Sequence, residues 1–298
     1  MLRCGGAKPI KENEENLKAY WEYVARNSFH LRQNKPAVTD YYYRKILISL
    51  LHSLSSKTGR RLLKLDAYNE ATHTQYGYYM LNKFDELTLV DISSTIIDKA
   101  LKHAAAKNLY NRVHAVEADF RRLPFRSESF DMSCSFGSIE HVPEYVQAFY
   151  EQTRVVKQGG DVVVGVPNVS NFSMRMMSAK TLHLLGLMRK ATNPEKHFHR
   201  RQLVALAKAA GWSDIKVSGY HLFPKQLRWL DLWLAFRNVE SLRRSRLFRL
   251  LLKWFTLLEL RYDFVKRYAE MIVVKGVRPE EQDRVRGSSQ YEAVKITR

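Results

Sequence analysis

Short apolar runs alternate with amphipathic segments between residues 59 and 168, and this alternation constrains the fold more than any other feature. The runs that predict strands are 60–67, 86–93, 112–119, 129–137 and 161–168. The segments that predict helices are 71–84, 94–108 and 143–157. Strands that alternate with helices in this way form a parallel sheet with right-handed crossovers. We therefore predict an α/β fold.

Aspartate occurs at the end of three of the predicted strands, as Asp66, Asp91 and Asp119. In parallel sheets, ligands bind beyond the carboxyl ends of the strands. A single acid at such a position is more often a helix cap. Acids at three neighbouring strand ends favour a binding site instead.

The pattern changes after residue 168, and the chain divides into five parts. Residues 199–212 predict a helix and residues 214–223 a sixth strand. The predicted parts are an N-terminal helical segment (1–58), an α/β core (59–223), a helical cap insertion (224–267), a final core strand (268–277) and a flexible tail (278–298).

The formal net charge is +19, and the basic surplus lies outside the nearly neutral centre of the chain. Segment 225–267 has eleven basic residues against four acidic ones. A basic surface attracts phosphate-rich partners such as nucleic acid, anionic lipid or a phosphorylated substrate. A surface that only aids solubility is the alternative.

The two cysteines, Cys4 and Cys134, are too few for a disulfide scaffold or a cysteine-built zinc site. Cys134 lies in an apolar run and is expected in the core. The N-terminus lacks the apolar stretch of a secretory signal, and no window reaches the ~18 apolar residues of a membrane span. We expect a cytoplasmic protein without a metal site, and association with a membrane stays open.

One stretch is more specific than the fold pattern. Residues 118–144, ADFRRLPFRSESFDMSCSFGSIEHVPE, resemble class I S-adenosylmethionine (SAM)-dependent methyltransferases of the ubiquinone/menaquinone and small-molecule type. The segments 90–93, 157–168 and 197–220 also resemble this family, in the same order and with similar spacing. The resemblance covers roughly 59–223 and resumes at 268–277. It implies a Rossmann-like, mostly parallel seven-stranded sheet flanked by helices, with a helical insertion before the last strand, and SAM as cofactor.

The resemblance also assigns the adenosine half of the cofactor site. Asp91 is expected to accept hydrogen bonds from the ribose hydroxyls, with Ile92 beside the adenine. Asp119 is expected to accept from the adenine amino group. The backbone N–H of Phe120 is expected to donate to the adenine ring.

The loop after the first strand departs from the family. Asp66, Tyr68, Asn69 and Glu70 are expected to bind the cofactor, but the three glycines usual in this loop are absent. Asn69 tolerates a left-handed backbone, whereas Tyr68 and Glu70 do so poorly. Glu70 is placed either to repel the cofactor carboxylate or to hold its ammonium group. A non-catalytic binding or assembly protein on the same fold therefore remains an alternative.

The segment after the fourth strand is expected to border the transferred methyl group. Ser135, Phe136 and Gly137 are predicted to lie along the methionine part of SAM. His141 is the first candidate for a catalytic base and Glu140 the second. For His141, local packing at a helix start is the competing interpretation.

Two basic features have open interpretations. Arg200 and Arg201, beside His197 and His199, suggest a phosphate contact at a helix start, or only a solvated face. Segment 224–267 is either a cap that closes the substrate pocket or a basic amphipathic surface on an anionic membrane, and the two are compatible. We predict a small-molecule or lipid-linked acceptor, which is anionic if the basic surplus serves the substrate. An RNA methyltransferase is a further alternative, although nothing resembles a known RNA-binding module.

Overall fold

The computed structural model describes residues 14–28, 31–32, 35–171, 196–239 and 245–280. Its centre is a seven-stranded sheet. The strands are β1 (Gly59–Leu65), β2 (Phe84–Asp91), β3 (Val113–Glu117), β4 (Phe130–Phe136), β5 (Val156–Pro167), β6 (Ser213–Tyr220) and β7 (Met271–Val277). Their order across the sheet is β3-β2-β1-β4-β5-β7-β6. Strands β1 to β5 pair in parallel, and β7 runs antiparallel to both β5 and β6. The predicted α/β, Rossmann-like and mostly parallel sheet is confirmed.

Helices cover both faces of this sheet. They are α1 (Glu14–Asn27), α2 (Val38–Leu54), α3 (Tyr68–Ala71), α4 (Tyr76–Tyr79), α5 (Ser94–Ala105), α6 (Tyr145–Arg154), α7 (Arg200–Ala209), α8 (Lys225–Phe236) and α9 (Arg246–Arg261). Successive side chains of β5 pack into different cores: Val163 joins the cluster formed with α2 and α5, whereas Val162 and Val164 join that of α6 and α7. Because both faces are buried, β5 is continuously apolar.

The helix predicted over 71–84 is broken in the structure. Its place is taken by α3, α4 and a 3₁₀ turn at Met80–Asn82. The break falls at Gln75, whose backbone is left-handed, with φ 50°. The Gln75 N–H donates to the carbonyl of Asn69 over 2.9 Å, which folds the chain back on α3. Helical spacing alone did not reveal this turn.

The end of β7 differs from the prediction of a tail that begins at residue 278. Arg278 is buried, and its guanidinium donates to the carbonyls of Arg154 and Val156 over 2.7 and 2.6 Å. It also pairs with Glu128 at 2.9 Å. Arg278 therefore belongs to the core, and the tail predicted beyond residue 280 lies outside the described residues.

Helices α8 and α9 pack on α2 through two buried carboxylates. Asp231 of α8 accepts hydrogen bonds from the backbone N–H and the hydroxyl of Thr39, at 2.7 and 2.6 Å. Glu259 of α9 accepts from the hydroxyl of Tyr42 and from the backbone N–H of His221. These bonds place both helices over the end of β6, beside the carboxyl edge of the sheet.

Candidate cofactor and acceptor site

Asp91 ends β2 and lies buried at the carboxyl edge, with 8% of its surface exposed. One carboxylate oxygen accepts from the N–H of Ala67 and the other from the N–H of Ser93, each over 2.9 Å. Burial outweighs these two bonds and raises the pKa of Asp91 to about 7. Each oxygen keeps a second lone pair, so the carboxylate can still accept hydrogen bonds from a ligand.

Asp66 follows β1 with a left-handed backbone, φ 72°, a conformation that aspartate tolerates better than most residues. One of its oxygens accepts from the ammonium of Lys64 at 2.9 Å and from the N–H of Tyr68 at 3.1 Å. The other accepts from the hydroxyl of Ser138 at 2.6 Å. The Asp66 side chain therefore ties the loop after β1 to the segment after β4.

The side chain of Glu70 lies in the protein interior and not at the expected cofactor site, which corrects both roles expected for it. Its side chain is fully buried and pairs with the equally buried Lys64 at 2.9 Å. Its other oxygen accepts from the N–H of Gly77 at 2.9 Å. Desolvation opposes the charge on Lys64, but the carboxylates of Asp66 and Glu70 outweigh it and raise the pKa of Lys64. Glu70 is thus an internal anchor of the loop.

Lys64 is a residue that the sequence prediction missed. Its signal was present, since a lysine interrupts the apolar run of β1 one residue before its last position. A buried lysine is nearly always paired with an acid. The partner itself, six residues further on, was not predictable from strand periodicity.

Asp119, expected at the adenine, carries an ion pair instead of a free carboxylate. The guanidinium of Arg121 donates to one of its oxygens from two nitrogens, at 2.8 and 2.5 Å. Phe120 beside it packs partly buried between two core clusters. Asp119 adjoins Asp91 along the sheet edge, because the N–H of Ala118 donates to the carbonyl of Asp91 over 3.0 Å.

Three further expected cofactor residues are Tyr68, Asn69 and Ile92. The hydroxyl of Tyr68 lies 3.1 Å from that of Ser28, on the link that follows α1. Tyr68 and Asn69 both line a cavity beside the loop. Ile92 is half-buried, directly after Asp91. The loop after β1 therefore lies next to the end of β2, where the N–H of Ala67 donates to Asp91.

Three expected cofactor residues, Ser135, Phe136 and Gly137, lie at the end of β4 and directly after it. Ser135 is fully buried and its hydroxyl lies 3.3 Å from Gln152, so it faces the interior rather than the edge. Phe136 is buried against the ring of Tyr220, with centroids 5.5 Å apart. Gly137 has φ +80°, and a side chain there would be strained. Ser135 therefore belongs to the core, whereas Gly137 allows the backbone turn that follows β4.

The two proposed catalytic residues lie in a 3₁₀ turn at Ile139–His141. Glu140 is buried, with 4% of its surface exposed. The ring of His141 packs edge-on against Trp21 of α1, with centroids 5.1 Å apart. That contact ties the turn after β4 to α1.

Helix α1 crosses the carboxyl edge. Its Glu22 accepts from the hydroxyl of Thr95 at 2.6 Å and from that of Ser93 at 3.0 Å, at the start of α5. Burial acts to raise the pKa of Glu22, but the hydrogen bonds from Ser93, Ser94 and Thr95 outweigh it and lower that pKa to about 2. Since Trp21 reaches His141 at the other side, α1 lies over the strand ends that carry Asp66 and Asp91.

A cavity of about 220 Å³ adjoins the loop after β1. It lies between α2, α8 and the ends of β4 and β6. Among its lining residues are Tyr43, Tyr68, Phe136, Tyr220, His221 and Arg228. Because Tyr68 and Asn69 border it on one side, a molecule in this cavity would touch the loop that the sequence predicts to bind the cofactor.

His221 lines this cavity, and the sequence prediction missed it. Its side chain is buried, and Nε2 has no hydrogen-bond partner among the residues described here. Burial, helped by the nearby positive charge of Arg228, holds the pKa of His221 well below its usual range. The ring stays neutral and packs on Tyr43 with centroids 3.9 Å apart. A histidine that directly follows the sixth strand was the available signal.

A second cleft, of about 440 Å³, lies at the ends of β5 and β6. Arg200, Lys266 and Arg267 line it, and no carboxylate is among the described residues of its lining. His199 caps α7, its N–H donating to the side chain of Gln202 over 3.1 Å. In the described part of the chain, no group of three or more His, Cys, Asp or Glu side chains is placed to hold a metal.

Comparison with known protein families finds one matching domain. Residues 73–164 match the family described as "Methyltransferase domain". That range contains Asp91, Asp119 and the segment after β4, but not the loop at Asp66.

Curated relatives match shorter stretches of the chain. A ubiquinone/menaquinone biosynthesis C-methyltransferase of Rhizobium rhizogenes is 34% identical over 83 residues, which is 28% of this chain and 32% of that protein. A sterol methyltransferase-like protein of Botryococcus braunii is 36% identical over 73 residues, 24% of this chain and 19% of that protein. The chain thus matches about a third or less of the length of these relatives.

Solved structures match over a longer range. A phosphoethanolamine N-methyltransferase of Haemonchus contortus has a TM-score of 0.57 at 17% identity, over 91% of this chain and 61% of that one. Geranyl diphosphate C-methyltransferase of Streptomyces coelicolor has a TM-score of 0.54 at 13% identity, over 91% and 99%. At these identities the likeness establishes the fold.

Proposed function

We propose that this chain transfers the methyl group of SAM to a small-molecule or lipid-linked acceptor, because residues 73–164 match a methyltransferase domain and the fold resembles that of solved methyltransferases. The observation that carries the proposal is the shared loop at Tyr68 and Asn69. It follows the Asp66 turn on one side and lines the cavity of His221 on the other. Cofactor and acceptor sites would therefore adjoin.

The residues present fit SAM despite the absent glycines. The loop after β1 begins with a left-handed backbone at Asp66, and Lys64 and Ser138 hold the Asp66 side chain in place. Glu70 is withdrawn into the interior, so its charge is neutralised by Lys64 before it can repel a cofactor carboxylate. Asp91 presents a buried carboxylate whose raised pKa falls when a hydroxyl donor binds to its charged form.

SAM, when bound, supplies a methyl group that its sulfonium has already activated. The chain must then hold the acceptor in line and exclude water. Asp91 would orient the ribose, and α1 would cover the edge above it. The neutral ring of His221 would accept a hydrogen bond from an acceptor hydroxyl and orient it. This assigns His221 a positioning role beside the two candidates after β4, His141 and Glu140.

A lipid-linked acceptor is the finer form of the proposal. The cavity is bordered by aromatic rings and by Leu47, Leu232 and Met271, which suit an apolar molecule. Lys225 and Arg228 also line it, paired with Glu270 at 3.1 Å and Asp40 at 2.7 Å. A hydroxylated apolar acceptor fits this mixture, and cytoplasmic placement beside an anionic membrane stays part of the proposal.

Calorimetric titration with S-adenosylhomocysteine (SAH) tests the cofactor site. We expect saturable binding by the wild-type chain, and at least about a tenfold loss in Asp91→Asn because a hydrogen bond to a charged acceptor is removed. Asp85→Asn is the matched control, since Asp85 is exposed on the same strand at the opposite edge. Absence of binding at millimolar SAH would reject the proposal and favour a non-catalytic binding or assembly protein.

A further inference from the structure

Helix α9 carries a second apolar stripe, on the side that faces solvent. Its inner side chains, among them Phe248 and Leu252, pack into the core. On the outer side, Leu247 is 78% exposed, Leu250 61% and Leu257 67%. With Trp254, 56% exposed, these residues follow the spacing i, i+3, i+7 and i+10, which places them on one face of a helix. We call these four residues the outer stripe.

A row of cations runs along this stripe. Arg246, Arg249 and Lys253 are all exposed. The helical spacing of 100° per residue puts them beside the outer stripe and away from the buried side. The basic row and the apolar stripe therefore share the solvent-facing half of α9.

The acids of α8 and α9 do not offset this charge, because both are buried. Asp231 is 2% exposed and bonded to Thr39, and Glu259 is 1% exposed and bonded to Tyr42 and His221. The surface that these helices present is accordingly cationic and apolar without exposed carboxylates of their own.

We propose that the outer stripe of α9 docks on the surface of an anionic lipid bilayer. Anionic headgroups complement the cationic row, and the acyl region behind them accepts Leu and Trp side chains. Nucleic acid would also supply anions, but it has no apolar region that could accept the four side chains of the outer stripe. A second copy of the chain would bring two cationic rows together. No described helix is long and apolar enough to cross a membrane, so the helix lies in the interface.

The idea that docking gives access to a lipid-linked acceptor rests on the proposed function. The contact itself is measured without cofactor, so SAH binding and docking can fail separately. Helix α9 adjoins the cavity lining, since Glu259 accepts a hydrogen bond from the backbone N–H of His221. A docked α9 would bring the cavity close to the bilayer surface.

The test is sedimentation of the full chain with vesicles of phosphatidylcholine alone, or of equal parts phosphatidylcholine and phosphatidylglycerol. We expect binding to the anionic vesicles only. Leu250→Ser/Leu257→Ser should weaken it about tenfold or more, because two inserted side chains are lost. Arg249→Gln/Lys253→Gln should weaken it about tenfold, and more so at low salt.

Matched controls separate docking from general charge and exposure. Lys107→Gln/Lys208→Gln makes the same change in net charge at exposed positions outside α9, and Tyr110→Ser removes an apolar side chain that is 65% exposed elsewhere. Both should bind like the wild type. Unaltered thermal unfolding of the α9 variants shows that they fold. Equal vesicle binding by the α9 variants and the controls would overturn the proposal. So would a chain that does not bind vesicles but binds RNA, with an affinity that the Leu variants do not weaken.

Discussion

The buried carboxylate of Asp91 gives a pH-dependent prediction for stability. Burial raises its pKa to about 7 in the folded chain, from an ordinary value near 4. The folded state therefore binds the proton more tightly than the unfolded state. This contribution is fully present at low pH and is lost as pH rises through 7.

Replacement of Asp91 by Asn removes this titration. Between pH 5 and pH 7 the wild type loses about 2.3 kcal/mol of stability through this group, and the loss levels off above pH 7, giving about 2.5 kcal/mol between pH 5 and pH 8. The Asn variant also loses a bond, because its amide nitrogen meets the N–H of Ala67 or Ser93. That cost is independent of pH and cancels when two pH values are compared.

The assay is urea unfolding of both proteins at pH 5 and pH 8. The free energy of unfolding of Asp91→Asn minus that of the wild type should be about 2.5 kcal/mol higher at pH 8 than at pH 5, because only the wild type loses stability over this range. Asp85→Asn, exposed on the same strand, is the control and should show no such change. A difference between wild type and Asp91→Asn that stays constant across this range would refute the account of Asp91.

Three other substitutions test the supports of the site. Lys64→Met should lower the free energy of unfolding by about 3–5 kcal/mol, because it leaves Glu70 charged and buried, and adding Glu70→Gln should recover part of the loss in urea unfolding. Gly77→Ala should cost about 1–3 kcal/mol in the same assay, since its Cβ would lie 2.7 Å from the Glu70 carboxylate; an unchanged midpoint would contradict that contact. Glu22→Gln should lower the free energy of local opening of α1, measured by amide hydrogen exchange near pH 7, by about 1–2 kcal/mol. Because the pKa of Glu22 is lowered to about 2, that difference should fade as pH drops below 4, and a difference that persists would argue against the charged cap.

The sheet was predictable because strand and helix periodicities are local. The aspartates at 66, 91 and 119 follow the same logic, since parallel strands end at one edge. The seven strands and the mostly parallel character of the sheet came with the family resemblance, whereas the strand order is known from the structure.

Side-chain contacts were not predictable in this way, whether their partners are near or distant in the chain. The inward turn of Glu70 depends on Lys64 of the preceding strand β1, and the ion pair of Asp119 depends on a side-chain conformation of Arg121. The cover over the edge depends on Glu22, which lies 71 residues before its partner Ser93. Each of these is set by packing, which a one-dimensional pattern does not contain.

The central claim is that SAM binds at the edge formed by Asp66 and Asp91. A crystal structure of the chain grown with SAH measures this most directly. The account predicts a nucleoside under α1, with both ribose hydroxyls within hydrogen-bond distance of the Asp91 carboxylate and the homocysteine beside the Asp66 turn. SAH bound elsewhere, or density absent from this edge at saturating SAH, would contradict it.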